Sequence, residues 1–259
     1  MNLDFASIHY QGAEATTIWV GLSLNDTPQL NRFLTEQVSE RLHDRSGRAE
    51  YQQYLEGLAL TGMGQTALQS ILEAETHADE GWMAGEALAE AVLIEGHGVV
   101  FPWNMERDKR NHKASLQGAD IIGLLPDRNG FRLAFGEVKS SEENRFPPTV
   151  MKSLGDQIIS LTSNLIQIQQ LLYWLHQRIK NSSHESAYRS ATTRYLNSSN
   201  KDAALYGVLI RDTSPNELDL KARAAILGTN VASPGSCHLL ALYLPLRLAD
   251  LPGRIGGAN

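Results

Sequence analysis

Two short apolar runs separated by a turn constrain the fold of this chain more than any other feature. The runs are "GADIIGLLP" (residues 118–126) and "FRLAFGEVK" (residues 131–139), and "DRNG" lies between them. Both runs are apolar on successive positions, which is typical of strands covered on both faces. The Asn-Gly pair favours a hairpin turn. We therefore predict a strand hairpin inside an α/β sheet with helices on each side.

The second run ends in opposite charges. Glu137 and Lys139 lie two positions apart in "GEVKSS", at the point where the strand loses its apolar character. Because strand side chains alternate with a period of two, both residues lie on the same face. They must therefore meet the same neighbour or the same ligand.

The hairpin predicts that neighbour in either of two registers. A four-residue loop pairs Pro126 with Phe131 and places Asp120 opposite Glu137, whereas a two-residue turn at "NG" places Asp120 opposite Lys139. Both registers put the three charged residues on one face, with opposite Cβ atoms about 5 Å apart. The sequence leaves the choice between the two registers open.

Other segments complete an α/β pattern. A helix is predicted from about Asp79 to Glu95, and another helical region covers residues 149–180. "TTIWVGLSL", "VVFPWN", "ALYGVLIRD" and "HLLALYLPL" indicate strands, and Thr27 is a candidate N-cap. We predict a mixed β-sheet flanked by helices, with an N-terminal α/β extension over residues 1–70 and a second domain over residues 71–259.

Charge and cysteine content exclude several classes of protein. The formal net charge is −6, whereas proteins that hold nucleic acid unaided are usually basic. The single cysteine, Cys237, leaves no disulfide framework and too few thiolates for a zinc site. The N-terminus has no leader pattern and no apolar stretch is long enough to span a bilayer. We therefore expect a cytoplasmic protein without membrane contact.

The order of elements, with "GAD" followed by "GEVK", resembles the PD-(D/E)XK nuclease superfamily over roughly 79–212. The resemblance implies a restriction-endonuclease-like core and Mg²⁺-dependent hydrolysis of DNA phosphodiester bonds. Mg²⁺ prefers hard oxygen ligands, so Asp120 and Glu137 are the expected metal ligands, and the resemblance adds the backbone carbonyl of Val138. Lys139 would position or help to deprotonate the attacking water and stabilise developing negative charge.

The superfamily often carries a further acidic residue on the helix before the sheet. Glu86 in "GEALAE" matches it and shares a helix face with Trp82, Ala89 and Leu93. Glu90, one turn further on, is the alternative. We prefer Glu86 as the catalytic acid on this helix.

A basic segment precedes the hairpin. "ERDKRNHK" places Arg107, Lys109, Arg110 and Lys113 ahead of Asp120, where they can hold a phosphate backbone. Charged loops are equally often only solvated. Both interpretations remain open for this segment.

A narrower resemblance concerns possible partners. The N-terminal segment together with "GEALAE", "GADIIGL" and "GEVKSS" resembles the nuclease subunit of the Hachiman anti-phage defence system, which works with a separately encoded helicase. It implies a helicase partner that supplies the grip on DNA. The competing expectation is a non-catalytic nucleic-acid- or protein-binding module on the same fold, in which Lys139 forms a surface ion pair with Glu137 or Glu142 worth at most about 1 kcal/mol.

Overall fold

The computed structural model describes residues 3–73, 81–108 and 118–256. Within these ranges the strands are β1 (Ala6–Glu14), β2 (Thr17–Leu24), β3 (Ile121–Asp127), β4 (Gly130–Ser141), β5 (Ala203–Arg211) and β6 (Ser236–Tyr243). The α-helices are α1 (Pro28–Phe33), α2 (Ser39–His43), α3 (Arg45–Leu58), α4 (Gly62–Glu73), α5 (Gly81–His97), α6 (Met105–Asp108), α7 (Val150–Ser163), α8 (Leu165–Ile179), α9 (Glu185–Asn197), α10 (Lys221–Asn230) and α11 (Leu251–Gly256). A π-helical turn (Leu34–Val38) joins α1 to α2, and short 3₁₀ helices cover Glu217–Asp219 and Leu248–Asp250.

The six strands form one mixed sheet in the order β1-β2-β6-β5-β4-β3. β2, β6, β5 and β4 are parallel to their neighbours in that series, whereas β1 and β3 run antiparallel at the two edges. This confirms the predicted α/β class with a mixed sheet between helices. Because β1 and β2 belong to the same sheet as the rest, the N-terminal segment extends the sheet, and the domain boundary near residue 70 stays a prediction.

Helices pack closely against both faces of the sheet. On one face, α5 approaches β4 so closely that a Cβ at Gly85 would lie 2.9 Å from Ser140 Oγ. On the other face, a Cβ at Gly207 of β5 would lie 2.7 Å from Ile158 Cδ1 and 2.8 Å from Leu154 Cδ2 of α7. The parallel strands are thus buried on both sides, as their continuous apolar runs require.

The predicted strand "VVFPWN" is wrong in its extent. This segment makes only an isolated bridge between Val100 and Leu124 at the outer edge of β3. The indole of Trp103 then donates to the Ile122 carbonyl over 2.6 Å. A side chain therefore occupies a β3 carbonyl that a further strand would have used.

The predicted N-cap of the first helix is confirmed, and two other helix predictions differ from the structure in their bounds. Thr27 caps α1, because its hydroxyl accepts from the Leu30 amide over 3.2 Å. α5 is described from Gly81 to His97 and thus extends two residues past the predicted end at Glu95, whereas the predicted start at Asp79 lies outside the described residues. The helical region 149–180 divides into α7 and α8 at Asn164, whose side chain caps α8 instead of continuing the helix. In the described part of the chain, no helix has the length and apolar character needed to cross a membrane.

Candidate active site

A cleft opens where β4 extends past the beginning of β3. β3 begins at Ile121, paired with Gly136, whereas β4 continues to Ser141. The cleft has a volume of about 520 Å³ and lies between α5, α7 and α8. The residues that line it are Trp82, Glu86, Gly118, Ala119, Asp120, Glu137, Val138, Lys139, Ser140, Gln157, Ser160 and Gln167.

The hairpin adopts the register that places Asp120 opposite Glu137. Pro126 pairs with Phe131, and this register extends from the two-residue turn to the beginning of β3. Asp120 immediately precedes the paired residues of β3 and lies close enough to Glu137 to raise its pKa. The alternative register, with Asp120 opposite Lys139, is wrong. The prediction of this register assumed a four-residue loop. In the structure Asp127 pairs with Gly130, so the turn contains only two residues.

Main-chain groups of β4 form hydrogen bonds with both the backbone and the side chain of Asp120. The Asp120 amide donates to the Gly136 carbonyl over 3.0 Å, and Asp120 Oδ2 accepts from the Val138 amide over 2.9 Å. The N–H and C=O of one strand residue point to the same side of the strand. The Val138 carbonyl is therefore directed to the side of β4 on which Asp120 lies.

Glu137 and Lys139 form an ion pair on the α7 side of the sheet. The Glu137 side chain is 5% exposed and that of Lys139 is 24% exposed, and Lys139 Nζ contacts Glu137 Oε1. Burial, and after it the nearby charge of Asp120, raise the pKa of Glu137 from 4.5 to about 7 against the opposing effect of Lys139. A second negative charge is thus costly here, and a bound cation would relieve that cost.

Glu86 and Glu90, the two candidate acids on α5, have different surroundings. Glu86 is 7% exposed and lines the cleft from the helix side. Glu90 is fully buried and pairs with Arg41, whose Nε and Nη2 lie 2.7 and 2.5 Å from Glu90 Oε2. Arg41 also donates to the Trp103 carbonyl over 2.8 Å. Glu86 therefore belongs to the cleft, and Glu90 holds α2 against α5.

A chain of hydrogen bonds that the sequence did not indicate connects α7 through α8 to the segment before Asp120. Ser160 Oγ donates to Gln167 Oε1 over 2.7 Å, and Gln167 Nε2 donates to the Gly118 carbonyl. Gly118 has a φ of +111°, which side chains other than hydrogen rarely allow. Gln167 and Gly118 are 49 residues apart, so no local pattern indicated their contact.

Gln157 of α7 also lines the cleft. Its Oε1 accepts from the Ser153 hydroxyl over 3.1 Å, one turn earlier on the same helix. The sequence offered only its position after the charged strand as a signal. Gln157 adds an amide to the wall that faces Glu137 and Lys139.

The basic segment is only partly described. Arg107 lies on α6, pairs with Asp108 at 3.1 Å and is not part of the cleft lining. Lys109, Arg110 and Lys113 lie outside the described residues. Their predicted contact with a phosphate backbone stays a prediction.

The oxygen donors of the cleft fit Mg²⁺. Asp120, Glu137 and the Val138 carbonyl are hard donors, and Mg²⁺ in proteins is usually held by one or two carboxylates with several waters. Over residues 3–73, 81–108 and 118–256, no group of three or more His, Cys, Asp or Glu side chains is arranged to hold a metal ion. A metal here would therefore depend on two carboxylates, a backbone carbonyl and water.

A larger groove of about 1060 Å³ runs along α9. Hydroxyl and amide side chains dominate its lining, which has Glu185 as its one carboxylate. Arg194 in this groove is already paired with Asp127 at 2.7 Å and Asp202 at 2.5 Å. The groove lacks the adjacent acids of the smaller cleft, to which we assign the chemistry.

Comparison with protein-family models finds no match for this chain. Comparison with curated proteins also finds no match. The residues of the cleft and their chemistry therefore provide the basis for a functional proposal.

Proposed function

We propose that this chain is a Mg²⁺-dependent nuclease that hydrolyses phosphodiester bonds of DNA. One observation carries the proposal: Asp120, Glu137 and Lys139 meet in a single cleft that Glu86 lines from α5. Two carboxylates that can hold a metal and an ammonium that can stabilise developing negative charge are groups that support metal-assisted phosphodiester hydrolysis. A buried carboxylate with a raised pKa is also more common at functional sites than elsewhere.

Each residue has a distinct role in this proposal. Asp120 and Glu137, with the Val138 carbonyl, would hold the metal, which when bound polarises the phosphate and lowers the pKa of its water. Lys139 orients the attacking water and places a positive charge next to the phosphate oxygens as their negative charge develops. Glu86 offers a carboxylate acceptor for water from the opposite wall of the cleft.

We further propose that the chain acts with a helicase in antiviral defence. The resemblance of its motifs to Hachiman nuclease subunits supports this, and so does its formal net charge of −6. A chain with more acidic than basic residues neutralises few phosphates by itself, so its affinity for DNA would be weak at physiological salt. A partner that holds DNA would supply the missing affinity.

Cleavage assays test the proposed activity. Purified protein, with and without a candidate helicase, is incubated with plasmid and single-stranded DNA in Mg²⁺ or EDTA. We expect cleavage in Mg²⁺ by the wild type and none by Glu137→Ala/Lys139→Ala. The control variant Glu217→Ala/Lys221→Ala removes an exposed ion pair at 3.1 Å whose residues do not line the cleft, and it should cleave like the wild type. Equal cleavage by the wild type and the cleft variant would refute the assignment.

A non-catalytic binding module on the same fold is the second candidate. The ion pair between Glu137 and Lys139 favours it, because each charge already has a partner without metal. This function predicts DNA or protein binding that is the same in EDTA and Mg²⁺, with no product in either. Metal-dependent cleavage lost in the cleft variant would exclude this candidate.

A further inference from the structure

The indole of Trp82 lines the same cleft as the carboxylates of Glu86, Asp120 and Glu137. Trp82 lies one turn before Glu86 on α5, so the two side chains share a face of the helix. The indole packs against the hydrophobic core and is only partly buried. An aromatic side chain is thus part of the wall beside the groups to which we assign phosphodiester hydrolysis.

The lining of the cleft offers little positive charge to a phosphate backbone. Among the residues that the structure describes, Lys139 is its one basic side chain, and Lys139 already contacts Glu137 Oε1. Sites that follow a DNA backbone usually contain several lysines and arginines, because neutralised phosphates supply much of their affinity. The cleft is therefore poorly suited to hold a run of phosphates.

Hydroxyls and amides supply the uncharged polar groups of the lining. They belong to Ser140, Gln157, Ser160 and Gln167. Gln157 Oε1 accepts from the Ser153 hydroxyl, and no described residue is hydrogen-bonded to Gln157 Nε2. The two N–H groups of this amide can donate to the oxygen and nitrogen acceptors on the edge of a nucleobase.

An indole with amide donors in the same cleft matches a nucleobase that is not stacked in a duplex. Every base presents a π face to an aromatic side chain, but in a duplex the neighbouring base pairs cover that face. Side chains therefore stack on bases of single strands or on bases turned out of a duplex. The cleft volume of about 520 Å³ lies within the range of pockets that enclose one small ligand. A base on Trp82 would thus belong to a nucleotide close to the phosphate at Asp120 and Glu137.

We propose that the cleft binds single-stranded DNA, with one base stacked on Trp82 and the edge of that base hydrogen-bonded to Gln157. The proposal rests on the nuclease assignment for the position of the phosphate. It adds the strandedness of the substrate, which the carboxylates and Lys139 do not determine. Trp82 and Gln157 are in this view binding residues that position the strand over Glu137.

Tryptophan fluorescence tests base stacking without any cleavage. Binding is measured in EDTA and low salt with the Asp120→Asn/Glu137→Gln variant, which lacks two of the charges that repel a phosphate. A single-stranded oligothymidylate should quench its emission, because the stacked base lies against the indole, and the same oligonucleotide in a duplex should quench much less. Adding Trp82→Phe should abolish the quenching. Adding Trp19→Phe, at another partly buried tryptophan that does not line the cleft, should retain it.

Two results of the fluorescence experiment would overturn the proposal. One is the absence of quenching at single-strand concentrations up to about 100 μM, the weak limit of non-specific binding. The other is equal quenching with and without the indole of Trp82. Because neither result depends on cleavage, the experiment gives its answer even if the chain is not a nuclease.

Substitution of Gln157 tests the contact with the base edge. In the same binding assay, Gln157→Leu should raise the Kd for the single strand several-fold, because it removes the amide donors. Gln170→Leu, at an exposed position of α8, is the control and should leave the Kd unchanged. An unchanged Kd in Gln157→Leu would refute this contact.

Cleavage kinetics in Mg²⁺ give the third measurement. The wild type should cleave a single strand faster than a duplex of the same sequence. Trp82→Ala should raise the KM for the single strand at least about fivefold, the lower limit for the loss of one stacked base, whereas Trp82→Phe keeps an aromatic ring and should stay near the wild type. Faster cleavage of the duplex, or an unchanged KM in Trp82→Ala, would contradict the proposal. No cleavage by any of these proteins would instead refute the nuclease assignment, and quenching would still decide whether a base stacks on Trp82.

Discussion

The Val138 amide donates to Asp120 Oδ2 over 2.9 Å. Asp120 immediately precedes Ile121, the first residue of β3 that pairs with β4. A main-chain group of the neighbouring strand thus fixes the carboxylate beside Glu137. Because the donor is backbone and not a mobile side chain, the position of Asp120 follows from the pairing of β3 with β4. The position of the Asp120 carboxylate is therefore set by the strand pairing.

Substitutions of Asp120 distinguish the effect of its charge from that of its hydrogen bond to the Val138 amide. Asparagine retains an oxygen that can accept from Val138 but carries no charge, so Asp120→Asn should fold and lose its response to Mg²⁺. Mg²⁺ should raise the melting temperature of the wild type only, since a ligand that binds the folded state stabilises it. Asp120→Ala should cost about 1–3 kcal/mol, because the Val138 amide loses its acceptor. An identical Mg²⁺ response in the wild type and Asp120→Asn would show that the carboxylates share no ion.

The raised pKa of Glu137 predicts a pH dependence of stability without metal. The folded state holds this proton up to a pH of about 7, whereas the usual pKa is 4.5. The stabilisation is therefore fully present below pH 4.5 and is lost as the pH rises through 7. In EDTA, the free energy of unfolding of the wild type should fall relative to Glu137→Gln across this window. Urea unfolding at several pH values measures the difference, and parallel curves for the two proteins would refute the raised pKa.

His97 should give a slope of the opposite sign. Burial and the neighbouring His238 lower its pKa from 6.5 to about 4, and its ring packs 5.4 Å from that of Tyr206. The unfolded chain therefore binds the proton first, and stability is lost as the pH falls from 6.5 toward 4. His97→Phe should keep the ring packing and flatten this acid slope. Because the His97 and Glu137 effects overlap between about pH 4.5 and 6.5 with opposite signs, each must be measured against its own variant.

Glu86 and Glu90 form a matched pair on α5. Glu90→Gln should destabilise the fold by about 3–5 kcal/mol, because it leaves the buried charge of Arg41 without its counter-ion. Glu86→Gln should reduce Mg²⁺-dependent cleavage with a much smaller loss of stability. Chemical denaturation and cleavage assays on both variants check the pair. The reverse pattern, with activity lost only in a folded Glu90→Gln, would exchange their roles.

Gln167 is expected to act as a positioning residue. Gln167→Leu removes both the bond to Ser160 and the bond to Gly118, so Asp120 should lose part of its fixed position. The Mg²⁺ concentration that gives half-maximal cleavage should rise several-fold, while the melting temperature changes little, because the side chain is only half-buried. Gln170→Leu, at an exposed position of the same helix, is the control. An unchanged Mg²⁺ dependence in Gln167→Leu would limit this residue to packing.

Much of the fold follows from local patterns in the chain. The apolar runs around residues 121–138 predict buried strands because period two and continuous hydrophobicity are properties of consecutive residues. The same local geometry places Glu137 and Lys139 on one face. β1 was not predicted, because as an exposed edge strand it lacks the apolar pattern that marks a buried one.

Contacts between distant residues required the tertiary structure. Glu86 and Glu90 lie one turn apart on an apolar helix, and only packing decides that one meets the cleft and the other meets Arg41. The hydrogen bond from Gln167 to the backbone before Asp120 likewise joins two segments that no short-range rule connects. Strand alternation and helix periodicity depend on neighbouring residues and can be recognised in the sequence. The partner of a buried polar group depends on which donor or acceptor tertiary packing brings within hydrogen-bonding distance.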